Sequence, residues 1–329
     1  MMLRAAMRRA TIGLAFAVAV ALGSAVSPAV ASNGDTDDGA ITWMVRPSDG
    51  VGEDGRSWVE LTLEPGEAVQ EYLLVRNLSP EAVTFTLSAA DGYFTDTGRF
   101  TMLTSNEPST DAGTWITIQD SVEVLGGDEV IVPFTVSVPQ NATPGDHAAG
   151  VAASIRSGGD DTVGVESRIG FRVMTRVTGE LTPSASAAIT GTYSGAWNPM
   201  DPGRLDLDYT LTNTGNTRLS VRSQITAAAL FGLVTFTVAG EEVVEFAPGE
   251  TREGRVTLPA VWPLFVYTTD LVATSTPVSD APSPADGTTA SAASSVAAVP
   301  WSQAVVIAVG AALLRWLWVD RRRRSAALR

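Results

Sequence analysis

Alternation of apolar and polar residues recurs along most of this chain, and it restricts the possible fold more than any other feature. Residues 83–88 read Val-Thr-Phe-Thr-Leu-Ser, which gives a strand one apolar face and one hydroxyl-bearing face. The same period of two recurs at residues 130–138 and 205–212. Many such short segments, bounded by Gly, Pro, Asn and Asp within residues 39–274, predict an all-β fold of immunoglobulin-like β-sandwiches.

Two parts of this region share one plan, which places a domain boundary. A glycine-containing turn, an alternating strand, two spaced prolines and a further strand follow one another in residues 126–155 and again in residues 248–273. We therefore predict two tandem sandwiches, at residues 40–180 and 183–275, with the joint between them.

The first 31 residues have the order of a secretory signal peptide. Arginines come first, an apolar run follows at residues 12–22, and Ala29-Val30-Ala31 gives a small-residue cleavage site. The prediction is a signal peptide at residues 1–31 and a secreted chain that begins at Ser32.

Residues 296–319 are largely apolar and predict a transmembrane helix. Tryptophans near its two ends are about 26 Å apart at the helical rise, close to the roughly 30 Å of a hydrocarbon layer. A basic tail follows at residues 320–329, and the positive-inside rule keeps such a tail in the cytoplasm. We predict a single-pass cell-membrane protein whose ectodomain is extracellular and faces the wall. The predicted membrane-interface residues are Trp301, Trp316, Trp318, Arg321, Arg322, Arg323 and Arg324.

Between the second sandwich and this helix, residues 276–295 consist chiefly of Ala, Ser, Thr, Pro and Val, without an aromatic residue. Such a composition buries little apolar surface, so we predict a flexible stalk.

Composition excludes several classes of function. The chain has no cysteine and one histidine, His147, which removes thiolate catalysis, cysteine-ligated metals and two-histidine metal sites. Residues 32–299 carry 13 arginines against 35 acidic residues, and a body this acidic repels nucleic acid. We expect no enzyme activity and no cofactor.

Some residues leave two interpretations open. Asp91 and Asp96 flank a turn and are either calcium ligands or ordinary turn residues, but the pattern lacks a calcium loop's spacing and we assign no metal. His147 is either a strand-end residue or a catalytic group without identified partners. The small residues 148–153 either admit a second backbone or a flat ligand, or pack against large core side chains.

Three segments carry a family resemblance: WMVRPSD at residues 43–49, LEPGEAVQEYLLVRNLSPEAVTFTLSAADGYF at 63–94, and FTVSVPQNATPGDHAAGVAASI at 134–155. They resemble the peptidoglycan-binding domain of the WxL-interacting surface proteins of Gram-positive bacteria. In that family two immunoglobulin-like domains, the second implicated in host-protein binding, precede a membrane helix and a basic tail. The resemblance implies peptidoglycan and WxL-type or other surface proteins as partners.

Glycan binding generally uses exposed aromatic rings surrounded by polar groups. Tyr93 and Phe94 lie between two turn signals, Asp91-Gly92 and residues 95–98, where burial is harder to arrange. We predict that they help form the glycan-binding surface, with at most one of the two needed in the core.

The sequence thus predicts a non-catalytic, membrane-anchored surface protein that associates with peptidoglycan and binds other surface or extracellular proteins. The alternative is a structural or assembly factor that docks secreted β-proteins at its sheet edges without binding glycan.

Overall fold

The computed structural model describes residues 41–95, 97–157, 165–278 and 287–327, with side chains described as far as residue 324. The predicted signal peptide lies outside these residues. In the described part the chain is all-β apart from two short 3₁₀ turns and one long helix at the C-terminal end. The predicted fold class is therefore confirmed.

The first sandwich contains ten strands. They are β1 (Trp43–Ser48), β2 (Val59–Leu63), β3 (Ala68–Asn77), β4 (Val83–Phe94), β5 (Phe100–Met102), β6 (Ile116–Ile118), β7 (Ser121–Val124), β8 (Glu129–Ser137), β9 (Gly145–Ser157) and β10 (Val165–Val177). One sheet has the order β1-β3-β8-β6, and the facing sheet has the order β2-β10-β9-β4-β5, with β7 also paired to β4. Every pair is antiparallel except β2, which runs parallel to β10.

The core of the first sandwich lies between these two sheets. Leu73 of β3, Phe85 of β4 and Phe134 of β8 are all buried in one continuous apolar cluster. Along β8 the inward residues Val132, Phe134 and Val136 are each 1% exposed, whereas Thr135 on the other face is partly accessible. The alternation of the sequence thus sets the strand register.

The second sandwich contains eight strands. They are β11 (Ala185–Ser194), β12 (Gly203–Asn213), β13 (Leu219–Ala229), β14 (Val234–Ala239), β15 (Val243–Phe246), β16 (Thr251–Val261), β17 (Phe265–Pro277) and β18 (Thr288–Ala298). The sheet β11-β12-β16 faces the sheet β14-β13-β17-β18, in which β15 also pairs with β13. The predicted inward residues Leu205, Leu207, Tyr209 and Leu211 are buried between the two sheets.

The stalk prediction is wrong for residues 288–295, because these residues belong to β18. This strand pairs antiparallel with β17 from Thr288 to Ala298, and Val296 lies in the core. Gly191 of β11 lies so close that an added Cβ would be 2.6 Å from Val296 Cγ2. A strand that completes an existing sheet needs no core of its own, so small alternating residues suffice. Residues 279–286 of the predicted stalk lie outside the described residues.

The helix α1 (Trp301–Ala327) starts later and ends later than the sequence predicted. Residues 296–298 belong to β18, and residues 320–327 continue the helix rather than forming a separate tail. Trp301–Arg324 is long and apolar enough to cross a bilayer, and none of its most apolar stretch is buried against the rest of the protein. The three predicted interface tryptophans and four arginines are all exposed on this helix, and Arg322 lies over the ring of Trp318 at 3.6 Å.

The register of β8 gives a direct test. Phe134→Asp buries a charge in the core and should lower the free energy of unfolding by several kcal/mol. Thr135→Asp, on the opposite face, should lower it by less than about 1 kcal/mol. Denaturant unfolding of the two variants measures the difference, and equal losses would contradict the register.

Candidate functional site

The two sandwiches meet at Asp146, near the start of β9, whose side chain is only 2% exposed. Arg176 of β10 holds its carboxylate with two hydrogen bonds, from Nε at 2.7 Å and from Nη2 at 2.8 Å. Across the joint, the backbone N–H of Arg218 and the hydroxyl of Thr217 donate to Oδ2 at 2.6 and 2.8 Å. Burial alone would raise the pKa of Asp146, but these donors outweigh it and hold the pKa below 3.8.

A ring of further ion pairs surrounds this carboxylate. The guanidinium of Arg218, 5% exposed, pairs with Glu60 of β2 and with Glu245 of β15. Arg172 of β10 also donates to Glu245, with one bond of 3.0 Å, and its guanidinium lies 4.2 Å from the ring centroid of Trp58. The charges alternate across the joint, so each sandwich supplies both signs.

Asn216 fixes the connection between the sandwiches. Its Nδ2 donates to the carbonyls of Pro144 and Glu180 at 2.9 Å each, and its Oδ1 accepts from the N–H of Thr182 at 2.8 Å. Gly145 has a φ of 134°, and a Cβ there would lie 2.2 Å from the carbonyl oxygen of Asn216. Only glycine allows this close approach.

A cleft of about 600 Å³ opens beside the joint. The first sandwich contributes Tyr93, Asp111 and His147 to its lining, and the second contributes the turn formed by residues 247–251. Because one wall comes from each sandwich, the width of this cleft depends on the ion pairs of the joint.

His147 is held in the cleft by hydrogen bonds at both ring nitrogens. Nδ1 lies 2.8 and 2.9 Å from the two carboxylate oxygens of Asp111, and Nε2 lies 2.9 Å from the carbonyl oxygen of Thr143. A carbonyl and an ionised carboxylate only accept, so both nitrogens carry protons. Burial disfavours this charged form, but the two hydrogen bonds outweigh burial and raise the pKa of His147 above 6.5. The ring of Trp115 lies 4.7 Å away, centroid to centroid.

The two residues predicted to bind glycan differ in their surroundings. Both belong to β4 rather than to a loop, and neighbouring residues on a strand point to opposite faces. Tyr93 is 47% exposed at the cleft. Phe94 is 8% exposed and packs edge-on against Phe100, with centroids 5.7 Å apart. Both residues line the cleft, and their role in binding glycan stays a prediction. Tyr93 offers the accessible ring, whereas Phe94 is the one of the two whose ring is largely buried in the β4–β5 hairpin.

Asp91 has a structural task beside the cleft. Its carboxylate accepts hydrogen bonds from the N–H groups of Thr110, Asp111 and Gly113 at 2.6, 2.9 and 2.7 Å. These bonds position the loop that carries Asp111, and so they orient His147 indirectly. Among the described residues no group of three His, Asp or Glu side chains is arranged to hold a metal ion.

The small residues of β9 pack against neighbouring side chains of the first sandwich. Ala149, Val151 and Ala153 face the core, and on the opposite face an added Cβ at Gly150 would lie 3.0 Å from Met102 Sδ. Ala152 is buried beneath the same methionine. Met102 of β5 therefore covers β9 at Gly150 and Ala152.

Comparison with known proteins gives only distant similarities. No family model matches the chain, and no curated protein matches it. Among solved structures, the class 5 fimbriae chaperone CfaA is similar at 10% identity and a TM-score of 0.37, covering 75% of this chain and 97% of that one. The Pseudomonas aeruginosa CupB2 chaperone is similar at 11% identity and a TM-score of 0.30, covering 72% and 97%. Similarities of this size carry no conclusion about function.

Removing the charge of Asp146 tests the joint. Asp146→Asn removes the carboxylate that Arg176 holds with two hydrogen bonds, and loss of one partner of a buried ion pair costs about 3–5 kcal/mol. Asp208→Asn, which breaks an exposed pair with Arg255, should cost less than about 1 kcal/mol. Denaturant unfolding of the full chain in detergent measures both, and equal losses would contradict a stabilising role for the joint.

The protonated state of His147 predicts a pH dependence. A raised pKa stabilises the folded state fully below pH 6.5, and this contribution is lost as pH rises through the folded pKa. The difference in unfolding free energy between the wild type and His147→Gln should therefore be largest below pH 6.5 and should fall toward alkaline pH. Asp111→Asn should flatten the same profile. Parallel stability curves for the wild type and His147→Gln would show that the imidazolium is not stabilised.

Proposed function

We propose that this chain is a non-catalytic, membrane-anchored surface protein whose cleft between the sandwiches binds cell-wall glycan, with peptidoglycan as the ligand. The exposed ring of Tyr93 at this cleft carries the proposal. A tyrosine ring offers a flat apolar surface for a sugar face and a hydroxyl at its edge.

The surroundings of Tyr93 fit a polar, uncharged ligand. The half-exposed carboxylate of Asp111 and the backbone of the 247–251 turn line the same cleft, and such oxygens accept hydrogen bonds from sugar hydroxyls. The ion pairs of the joint hold both walls in place before binding. Less conformational entropy is then lost when the ligand enters.

The geometry of His147 supports the non-catalytic part of the proposal. A general base needs a free lone pair within reach of a proton. Both nitrogens of this imidazole carry protons that are already donated to Asp111 and Thr143. In this state the ring has no lone pair to offer a nucleophile.

The helix α1 supports anchoring in a membrane. With the four arginines at residues 321–324 in the cytoplasm, both sandwiches lie outside, where the cleft reaches the wall. On this proposal the second sandwich presents a face to WxL-type or other surface proteins.

A second candidate function is docking of a secreted β-protein by strand addition. Among the described residues β16 pairs only with β12, which leaves the other edge of an 11-residue strand open beside the cleft. An added strand would satisfy the unpaired backbone groups of this edge. Glu253 and Arg255 lie along it, and such charges limit unspecific pairing.

Co-sedimentation of the full chain in detergent with purified peptidoglycan tests the first candidate. Tyr93→Ala should weaken pelleting about fivefold, the equivalent of roughly 1 kcal/mol for one ring contact. Tyr93→Phe keeps the ring and should pellet nearly as the wild type does. Val51→Ala, at an exposed residue that does not line the cleft, is the matched control.

Two results would contradict glycan binding at this cleft: wild-type pelleting by a folded Tyr93→Ala variant, or no pelleting of the wild type. In the second case, a photo-crosslinking side chain at Glu253 should capture a partner in intact cells if strand docking is the function. Lack of capture from Glu253 would then count against strand docking as well.

A further inference from the structure

Three loops lie together at the end of the second sandwich that is farthest from the joint. They are residues 195–202, 230–233 and 262–264, which we call the end loops. Strand register places them side by side, because Val261 lies opposite Gly203 and Tyr267 lies opposite Ala229. Ala298, the last residue of β18, lies opposite Phe265 at the same end. The helix α1 therefore leaves the sandwich among the end loops.

The end loops expose large apolar side chains to an unusual degree. Trp197 is 97% exposed, Leu233 is 84% exposed, Met200 is 78% exposed and Phe231 is fully exposed. The only charged residue in the three loops is Asp201. A contiguous apolar surface of this kind usually marks an interaction site rather than a solvated end.

The backbone of this end includes several conformations that are unfavourable for residues other than glycine. Among the described residues, four residues other than glycine have a positive φ: Leu230 (51°), Phe231 (58°), Ala260 (58°) and Phe265 (73°). All four lie in the end loops or within four residues of one. Each such residue is energetically unfavourable, and strained residues concentrate at functional surfaces.

The position at which α1 begins limits the distance between the end loops and a bilayer that α1 crosses. Only Val299 and Pro300 separate β18 from α1, so the gap spans at most about 10 Å even when extended. Gln303 in the first turn of α1 donates to the carbonyl of Pro199 at 3.0 Å, which ties one end loop to the helix. Trp301, at the start of α1, is the kind of residue that lies at the headgroup level.

We propose that the end loops insert into the outer headgroup region of the phospholipid bilayer that α1 crosses, so that the second sandwich lies directly on the membrane. This inference rests on the anchoring in the proposed function and adds a second, peripheral contact with lipid. Because the end loops carry no basic residue, apolar burial rather than attraction to anionic headgroups drives the contact.

The absence of cysteine from the chain allows single-site labelling without background. Nitroxide labels are placed on Met200→Cys and Leu233→Cys in the end loops, on Leu314→Cys in α1, and on Val51→Cys as the exposed control in the first sandwich. Each full-length variant is reconstituted at one chain per phosphatidylcholine–phosphatidylglycerol nanodisc. Power saturation with oxygen and with a water-soluble nickel chelate then reports whether each label lies in lipid or in water.

We expect the label at Leu314 to be in lipid, the label at Val51 in water, and both end-loop labels to show several-fold lower nickel accessibility than the label at Val51, independent of salt. A lipid-exposed Leu314 label with water-exposed end-loop labels would overturn this inference and leave anchoring intact. A water-exposed Leu314 label would overturn anchoring itself. Protection of the end loops only at two chains per disc would assign them to contact with a second copy and overturn lipid insertion.

Tryptophan fluorescence provides a test without a label. In brominated lipid, the wild type should be quenched more than Trp197→Phe, because Trp197 would lie beside the lipid and the remaining tryptophans are common to both proteins. Equal fractional quenching of the two proteins, each with wild-type thermal stability, would contradict insertion of the 195–202 loop.

Discussion

The buried carboxylate of Asp146 is the interaction on which the arrangement of this molecule depends. A charge with 2% exposure is unfavourable unless every oxygen finds a donor, and here the donors come from both sandwiches. A different angle between the sandwiches would remove the two donors that the second sandwich supplies to this buried carboxylate, the hydroxyl of Thr217 and the N–H of Arg218. Buried ion pairs often add little net stability over apolar packing, but they strongly disfavour the wrong arrangement.

The candidate site follows from this joint. His147 follows Asp146 directly in the chain and lines the cleft. Because Asp146 is fixed at the joint, His147 is held in place beside Asp111 on the cleft wall. Asp91 then fixes the loop of Asp111 from the other side. Tyr93 lines the same cleft and is the last residue but one of β4. A binding surface built on paired strands varies less in shape than one built on loops alone.

Local patterns made the sandwiches predictable, whereas contacts distant in sequence were not. The alternation at residues 130–138 and 205–212 predicts both that these segments are strands and which side chains face the core, because side chains of a strand point alternately to its two faces. The bond from Arg218 to Asp146 joins residues 72 apart, and that from His147 to Asp111 joins residues 36 apart, so neither leaves a local signal. The error at β18 had another cause. Ala290, Ala292 and Val296 follow the period of two, but a strand made chiefly of Ala, Ser and Thr has the same composition as a flexible linker.

The short connection from β18 to α1 has a mechanical consequence. Strands of 11 to 13 residues separate the end loops from the joint, a length of about 35–45 Å at the rise of a β-strand. With α1 in a bilayer, the rigid second sandwich acts as a spacer of constant height beneath the cleft. On the proposed anchoring and lipid contact, the cleft would stay at one distance from the membrane while the molecule diffuses laterally, so it would meet only ligands that occur at that distance.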